Sequence, residues 1–331
     1  MKKKKLKLAD IAEFAGVSKS TVSFVLNGHA KKHRINEETV KRVQAVVDEH
    51  NYAPSLYARA LKANRTYTLG LVIPDLANMG FATTAKFLEK LARSHGYQLL
   101  IASSEDNPKQ EKAAVKSLLE RQVDLLMVAT AMTEDTFYRK VTEQTPVLVF
   151  DRIFDATPLT TIKTDAYNAT KQLVEKLCQQ AEECAYLGGQ LELSPSKDRF
   201  SGYQAALLAA GVELNTELVK HKDYQPESGY AMIEEIHQNI GRLPTRIFVA
   251  SYSILEGVLR YMSEHQLLNA NVKIATFDNS PILDCLPINI DSIEQDCELI
   301  AKTLFEQATA SIGSPDRKAE HLILPAKLHY R

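Results

Sequence analysis

The stretch Ile11-Ala-Glu-Phe-Ala15-Gly16-Val17-Ser18-Lys19-Ser20-Thr21-Val22-Ser23-Phe24-Val25-Leu26-Asn27-Gly28 decides how the N-terminal end of the chain is read. Upstream and through it, Leu6, Leu8, Ile11, Ala12, Phe14 and Ala15 recur at helical intervals. Gly16 then ends the helix, because a residue without a Cβ enters left-handed backbone freely. Val17 is an apolar residue set to enter the core, and Ser18 is a natural N-cap for a second helix reaching about Leu26. Two short helices joined by a tight glycine turn make a helix-turn-helix. Asn27-Gly28 stops the second helix, and a polar loop with Lys31, Lys32, His33 and Arg34 follows. Asn36 caps a third helix over 37–50, with Val40, Val43, Val46 and Val47 on one face.

Charge divides along the chain. Residues 1–65 hold 14 Lys and Arg against 6 Asp and Glu, and residues 66–331 hold 26 against 35, although the whole nets −1. A basic head on an acidic body suits a phosphate-seeking module joined to a solvated one. A length of 331 residues suits two or three domains. The composition, 45% hydrophobic and 24% charged, is globular, with no apolar run long enough to span a membrane. Met1-Lys-Lys-Lys-Lys5 resembles the start of a signal peptide, but no apolar core or cleavage site follows, so the cytoplasm is the expected compartment. Cys178, Cys184, Cys285 and Cys297 show neither CxxC nor metal-ligand spacing, so buried reduced thiols are expected, with no metal and no cofactor.

From Thr68 the pattern becomes short apolar strands alternating with amphipathic helices. Strands are expected over 69–74, 98–102, 124–129 and 147–150, with helices near 82–95, 108–121 and 134–143. A second set has strands over 184–188, 246–250 and 272–277, helices near 166–180, 198–210, 227–239 and 254–265, and a final strand over 322–328. Two runs of βα units imply an α/β body of two doubly wound parallel-sheet lobes. Ligands of such sheets bind beyond the strand carboxyl ends, here in a cleft between the lobes. The residues just past strands fit that place: Asp75, Asn78 to Phe81, Asp151-Arg152, Asp165, Lys197-Asp198-Arg199, Asp223-Tyr224, Ser251-Tyr252 and Asp278-Asn279. Carboxylates and guanidinium groups form paired bonds to vicinal hydroxyls, and aromatic faces cover the apolar side of a sugar ring. Each strand-end Asp also suits helix capping, and for Asp165 the two readings are evenly matched. No G-x-G-x-x-G joins a strand to a helix, Leu187-Gly-Gly-Gln lacking the third glycine, and no nucleophile–base motif is present, so no enzyme is expected.

The run from Ile11 to Gly28, followed by Asn51-Tyr52-x-Pro54, resembles the headpiece of the LacI/GalR family of transcriptional regulators. The body is similar to the periplasmic-binding-protein fold that this family joins to its headpiece. The resemblance implies a headpiece over 1–54, a hinge helix over 55–66 and an effector-binding, dimerising body over 67–331. Lobe 1 would hold about 67–162 and 292–321, and lobe 2 about 163–290 and 322–331. It implies a homodimer on a palindromic double-stranded operator, with Ser18 in the DNA-binding set and Lys19, Ser20, Ser23 and Phe24 facing the major groove. Thr21, Asn27, Asn36, Thr39 and Tyr52 would hold phosphates. Lys31, Lys32 and Arg34 read as backbone clamps. The family often has Arg where Phe24 stands, and Phe cannot make the paired arginine–guanine bonds; packing against the loop is its alternative role. In the hinge, small Ala58 would admit a twin helix and Leu61 would wedge into the minor groove, the alternative being a plain tether.

For the cleft the resemblance favours Arg199, Asp278, Asp151 and Tyr224, then Phe81, Arg152 and Ser251. Leu187 to Arg199, Tyr224 to Tyr230 and Leu255 to His265 resemble the sucrose and fructose branch of the family. That implies a repressor of sugar-utilisation genes released by fructose or fructose 1-phosphate. A corepressor-dependent or dual regulator, and a sugar-binding protein without a DNA function, are the other readings.

Overall fold

The computed structural model describes residues 6–52, 65–314 and 317–331. It separates into two units, Met1–Thr66 and Tyr67–Arg331.

In the first unit, helices Leu8–Phe14, Lys19–Leu26 and Glu37–Glu49 enclose Ile11, Ala12, Ala15, Val22, Val25 and Val43. Val17, Val40, Val46, Val47 and Tyr52 pack around that core. Gly16 has φ 63°, and the turn it makes lets Val17 N–H reach Ala12 O at 3.0 Å. Ser18 Oγ accepts from Thr21 N–H at 3.1 Å, and Asn36 Oδ1 from Thr39 N–H at 2.8 Å, so both later helices begin on side-chain caps. Pro54 and, of the expected hinge helix over 55–66, residues 55–64 with Ala58 and Leu61 lie outside the described residues.

The second unit has two six-stranded sheets. Lobe 1 contains β1 (Thr68–Ile73), β2 (Gln98–Ser103), β3 (Leu125–Val128), β4 (Val147–Phe150), β5 (Thr160–Thr164) and β11 (His321–Leu324), in the order β11-β5-β4-β3-β1-β2, all parallel. Lobe 2 contains β6 (Ala185–Gly188), β7 (Val219–His221), β8 (Arg246–Val249), β9 (Lys273–Phe277), β10 (Ile290–Gln295) and β12 (Ala326–His329), in the order β12-β10-β9-β8-β6-β7. Five of these strands are parallel, and β12 closes the edge antiparallel to β10.

Central strands β3, β4 and β6 are buried at every residue, which requires helices on both faces. In lobe 1, helices Met79–Ser94 and Cys297–Gly313 contribute to one core while Pro108–Glu120 and Thr136–Thr142 contribute to the other. In lobe 2, Ala166–Leu177 and Ser194–Ala210 share one core, and Pro226–Ile240 and Tyr252–Glu264 the second.

Three details correct the sequence reading. Residues 160–164, which straddle the expected end of lobe 1 at about 162, are strand β5, so lobe 1 runs to 164. Residues 292–295, expected in lobe 1, belong to β10 of lobe 2, and the chain returns to lobe 1 at helix Cys297–Gly313. The expected strand over 322–328 is two strands split at Pro325, β11 in lobe 1 and β12 in lobe 2. Proline has no N–H for a ladder, so one continuous strand through 325 is disfavoured. The cysteines are unpaired; Cys285 is exposed, against the expectation of burial, because it ends a short surface turn. Among the described residues no helix is long and apolar enough to cross a membrane.

Candidate functional site

The strand ends of the two sheets face each other across a cleft of roughly 800 Å³, counting its open mouth. Phe81, Asp151, Arg152, Arg199, Tyr224, Ser251 and Asp278 all line it. Asp151 directly follows β4 with φ 58°, and Asp278 directly follows β9 with φ 71°. Left-handed backbone costs a non-glycine residue on the order of 1–2 kcal/mol, and Asp bears it better than most. Both carboxyl groups act on Arg199 through their charge.

Arg199 projects from helix Ser194–Ala210 and is only 5% exposed. Its Nη1 donates to Ala250 O at 2.7 Å, and its guanidinium carbon lies 3.7 Å from the Phe277 ring centre. Its Nε has no hydrogen-bond partner among the described residues. Such a buried, unmet donor is costly alone and suits a ligand oxygen. Burial works against the Arg199 charge, but Tyr224, Asp278 and Asp151 outweigh it and raise its pKa. For Asp151 burial is the largest influence and raises its carboxyl above the usual range, with Arg199 and Arg152 opposing and Asp278 and Asp106 reinforcing.

Tyr224 Oη bonds Ser196 Oγ at 2.6 Å, and its ring lies where a side chain on Gly189 would stand, 2.2 Å from a built Cβ. Gly189 therefore makes room for the aromatic wall. Phe81 meets Phe150 edge-on at 6.2 Å. Ser251 Oγ accepts from Ile254 N–H at 3.3 Å, so it caps helix Tyr252–Glu264 at the cleft wall.

Asp106 and Gln295 are among the polar lining residues that the sequence reading did not name, with Thr84, Lys163, Thr164 and Gln225. Asp106 forms an ion pair with Arg152, and Gln295 accepts from Thr164 Oγ1 and donates to Asp278 Oδ1, both at 2.9 Å. Asp106 does follow a strand, β2, but Ser104-Glu-Asp-Asn-Pro108 reads as a turn and helix cap. The remaining candidates divide between the cleft and other places. Asp165 Oδ1 accepts from Asn168 N–H at 3.2 Å as a helix cap, and Asp223 accepts from Gln225 N–H at 3.2 Å. Asn279 bonds Ser292 and Arg331, each at 2.8 Å. Lys197 reaches Asp155 on the exposed surface at 3.3 Å, while Asp198 bonds Lys163 across the lobes at 2.6 Å. Ile153 N–H also crosses, to Ser194 Oγ at 2.8 Å. Asp75 and Asn78 line the cleft, Asn78 also capping helix Met79–Ser94. Tyr252 lies outside it, beside Asn279 and Pro281.

In the head, Lys19 and Ser20 are exposed at the start of the second helix, where Ser18 Oγ bonds Ser20 Oγ at 2.7 Å and Thr21 Oγ1 at 2.8 Å. Asn27 Nδ2 donates to Ser23 O at 2.7 Å. Lys31, Lys32 and Arg34 are exposed on the loop, Arg34 with φ 53°. Phe24 stacks on His33 of that loop, ring centres 3.5 Å apart at 11°, so its ring is engaged by the protein itself. Thr39 and Tyr52 are half-buried; burial, then Asp10, raises the Tyr52 hydroxyl pKa.

A helix-turn-helix unit followed by a two-lobed α/β unit with a polar cleft defines a class of regulator, one with a DNA-reading head and a ligand-binding body. Residues 7–55 match the model of bacterial regulatory proteins of the lacI family, and residues 66–261 match that of periplasmic binding proteins and the sugar-binding domain of the LacI family. The chain belongs to the LacI family. It is 42% identical to the sucrose operon repressor of Klebsiella pneumoniae over 100% of this chain and 99% of that one. It is 37% identical to the fructose operon regulatory protein of Vibrio cholerae over 91% and 92% of the two chains. Among solved structures, the Cra transcriptional dual regulator of Pseudomonas putida in complex with fructose 1-phosphate is 29% identical, with TM-score 0.75, covering 80% of this chain and 98% of that one.

Proposed function

We propose that this chain is a sugar-responsive transcriptional repressor of sucrose-utilisation genes. Its head binds a palindromic double-stranded operator as a homodimer, and fructose or fructose 1-phosphate in the cleft releases it. One observation carries the sugar half: Arg199, buried with an unmet Nε donor, faces Asp151 and Asp278 in one cleft beside the Tyr224 ring. Such a set gives hydroxyl groups donors, acceptors and an aromatic wall. The 42% identity to a sucrose operon repressor supports sucrose-utilisation genes as the targets. In the head, Ser18, Lys19, Ser20, Thr21, Ser23, Asn27, Asn36, Thr39 and Tyr52 contact DNA, with Lys31, Lys32 and Arg34 clamping its backbone. Ala58 and Leu61 belong to the same DNA-binding set. Phe24 supports this surface through its stack on His33. The protein acts in the cytoplasm and catalyses no reaction.

Titration of operator-bound protein with sucrose, fructose and fructose 1-phosphate tests this reading. Arg199→Ala removes a charged donor from a desolvated site, about 1.5–3 kcal/mol, or roughly ten- to a hundredfold in sugar affinity. Operator affinity without sugar stays the same. Release of Arg199→Ala at the parent's sugar concentration contradicts the site. A sugar that strengthens operator binding reverses the sign, as in a corepressor-dependent or dual regulator; one relative, 36% identical, is the catabolite repressor/activator of Escherichia coli.

A further inference from the structure

We propose that Asp106, by occupying the guanidinium of Arg152, sets how far the cleft prefers a neutral sugar to a phosphorylated one. This rests on the effector site proposed above and asks which chemical form of sugar that site selects.

Asp106 is aimed rather than incidental. Glu105 and Asp106 are consecutive left-handed residues, φ 50° and 54°, and neither is glycine. Backbone bonds hold them there: Ser104 N–H to Ile73 O at 2.9 Å, Glu105 N–H to Pro74 O at 2.7 Å and Asn107 N–H to Ser104 O at 2.9 Å. Asn107 then caps helix Pro108–Glu120, its Oδ1 accepting from Lys109 N–H at 2.9 Å. A strained loop pinned at both ends beside a cleft points to a function for the residue it presents.

The presented carboxylate meets Arg152 with both oxygens. Oδ1 pairs with Nη1, and Oδ2 lies 3.4 Å from Nη2. The Arg152 side chain is 6% exposed, so this is a partly desolvated, fork-on-fork contact. It uses the same two N–H directions a phosphate would use. A phosphorylated sugar must therefore displace Asp106 from Arg152 or do without that fork.

The charge of the whole lining agrees. Arg152, Lys163 and Arg199 are its three cations, and Asp75, Asp106, Asp151 and Asp278 its four carboxylates. Lys163 is further tied to Asp198 at 2.6 Å. Every cation of the cleft thus already faces a carboxylate, an arrangement that satisfies neutral hydroxyls and opposes a dianion. Removing the Asp106 charge leaves three carboxylates against three cations and opens the Arg152 fork. Asp106 is a positioning residue, since it acts through Arg152.

The test is the ratio of two affinities, which a merely structural role would not move in one direction. Fructose and fructose 1-phosphate are titrated calorimetrically into parent and Asp106→Asn proteins, with inorganic phosphate as a third probe. Asn keeps the shape and tolerates left-handed backbone. The variant is expected to shift preference toward the phosphorylated sugar by tenfold or more, and to bind inorganic phosphate more tightly. Arg152→Gln, which leaves Asp106 without its partner, is expected to shift preference the other way, and keeps the question answerable if Asp106→Asn does not fold. A ratio unmoved in both variants, or moved toward the neutral sugar in Asp106→Asn, overturns the inference while leaving the effector site standing. A parent protein that binds neither sugar overturns the effector reading and this inference together.

Discussion

Asp151 shows how a residue lining the cleft works against the fold that holds it. Burial raises its carboxyl above the ordinary 3.8, with Arg199 and Arg152 only partly opposing. A raised folded-state value means that the ionised form is less welcome in the folded protein than in the unfolded chain. The cost is therefore full above the raised value and is relieved as pH falls through it toward the ordinary one. Asp151→Asn removes the charge and fits φ 58°. The free variant should melt higher than the parent near pH 7, with the gap closing as the pH is lowered. Its sugar affinity should fall about ten- to a hundredfold, as expected for a lost charged hydrogen bond of about 1.5–3 kcal/mol. Thermal melts across pH decide it, and a variant melting below the parent at neutral pH refutes the argument. The same residue was readable from sequence because a polar pair, Asp151-Arg152, interrupts the chain just where an apolar strand ends. Asp106 was not, since its partner lies 46 positions away and its own neighbours read as turn and cap. Nor does sequence spacing show which way the Phe24 ring turns, which the stack on His33 decides.

At the scale of elements, apolar runs marked the central strands closely, because strands covered on both faces have to be apolar. The strands at the lobe crossings are different. Thr160-Thr-Ile-Lys-Thr164 and Ile290-Asp-Ser-Ile-Glu-Gln295 carry polar groups that serve the cleft and the crossing, Lys163 on Asp198 and Gln295 on Thr164 and Asp278. Function there blurs the strand signal. Glycines within helices hold a second message that composition hides. A Cβ on Gly257 would stand 1.8 Å from Pro226 O, and one on Gly229 would stand 2.1 Å from Ile254 O. Helices Pro226–Ile240 and Tyr252–Glu264 therefore touch backbone to backbone. Because backbone cannot give way as a side chain does, Gly257→Ala should destabilise the body by about 1–3 kcal/mol despite alanine's better helix propensity. A melting temperature several degrees lower is the expected reading, and an unchanged or higher one would mean that the helices separate without cost.

Across the whole molecule the cleft is made of two lobes joined by three chain crossings, so sugar affinity includes the free energy of holding those lobes together. Lys163 to Asp198 and Ile153 to Ser194 are ties between them, and Gln295 links two crossings through Thr164. Asp198 does not line the cleft, but its partner Lys163 does, so a neutral sugar is the probe that reads closure with least change in ligand contact. Asp198→Asn should weaken the arrangement in which the lobes meet and leave the sugar-contacting groups in place. With side chains 25% and 28% exposed, the pair resembles a surface bridge more than a buried one. Its loss is expected to cost about 0.5–1 kcal/mol, a two- to fivefold rise in the Kd for sugar. A ligand shifts a two-state equilibrium only by its differential affinity for the two states. More sugar is then needed to release Asp198→Asn from operator, by the same factor, if closure of the lobes is what the operator-bound state opposes. Linkage adds a check: the factor by which sugar weakens operator binding must equal the factor by which operator weakens sugar binding, in parent and variant alike. Calorimetry of sugar binding with and without saturating operator measures both. Sugar affinity unchanged in Asp198→Asn would detach that tie from closure. Weakened sugar binding with an unshifted release point would detach closure from the control of DNA.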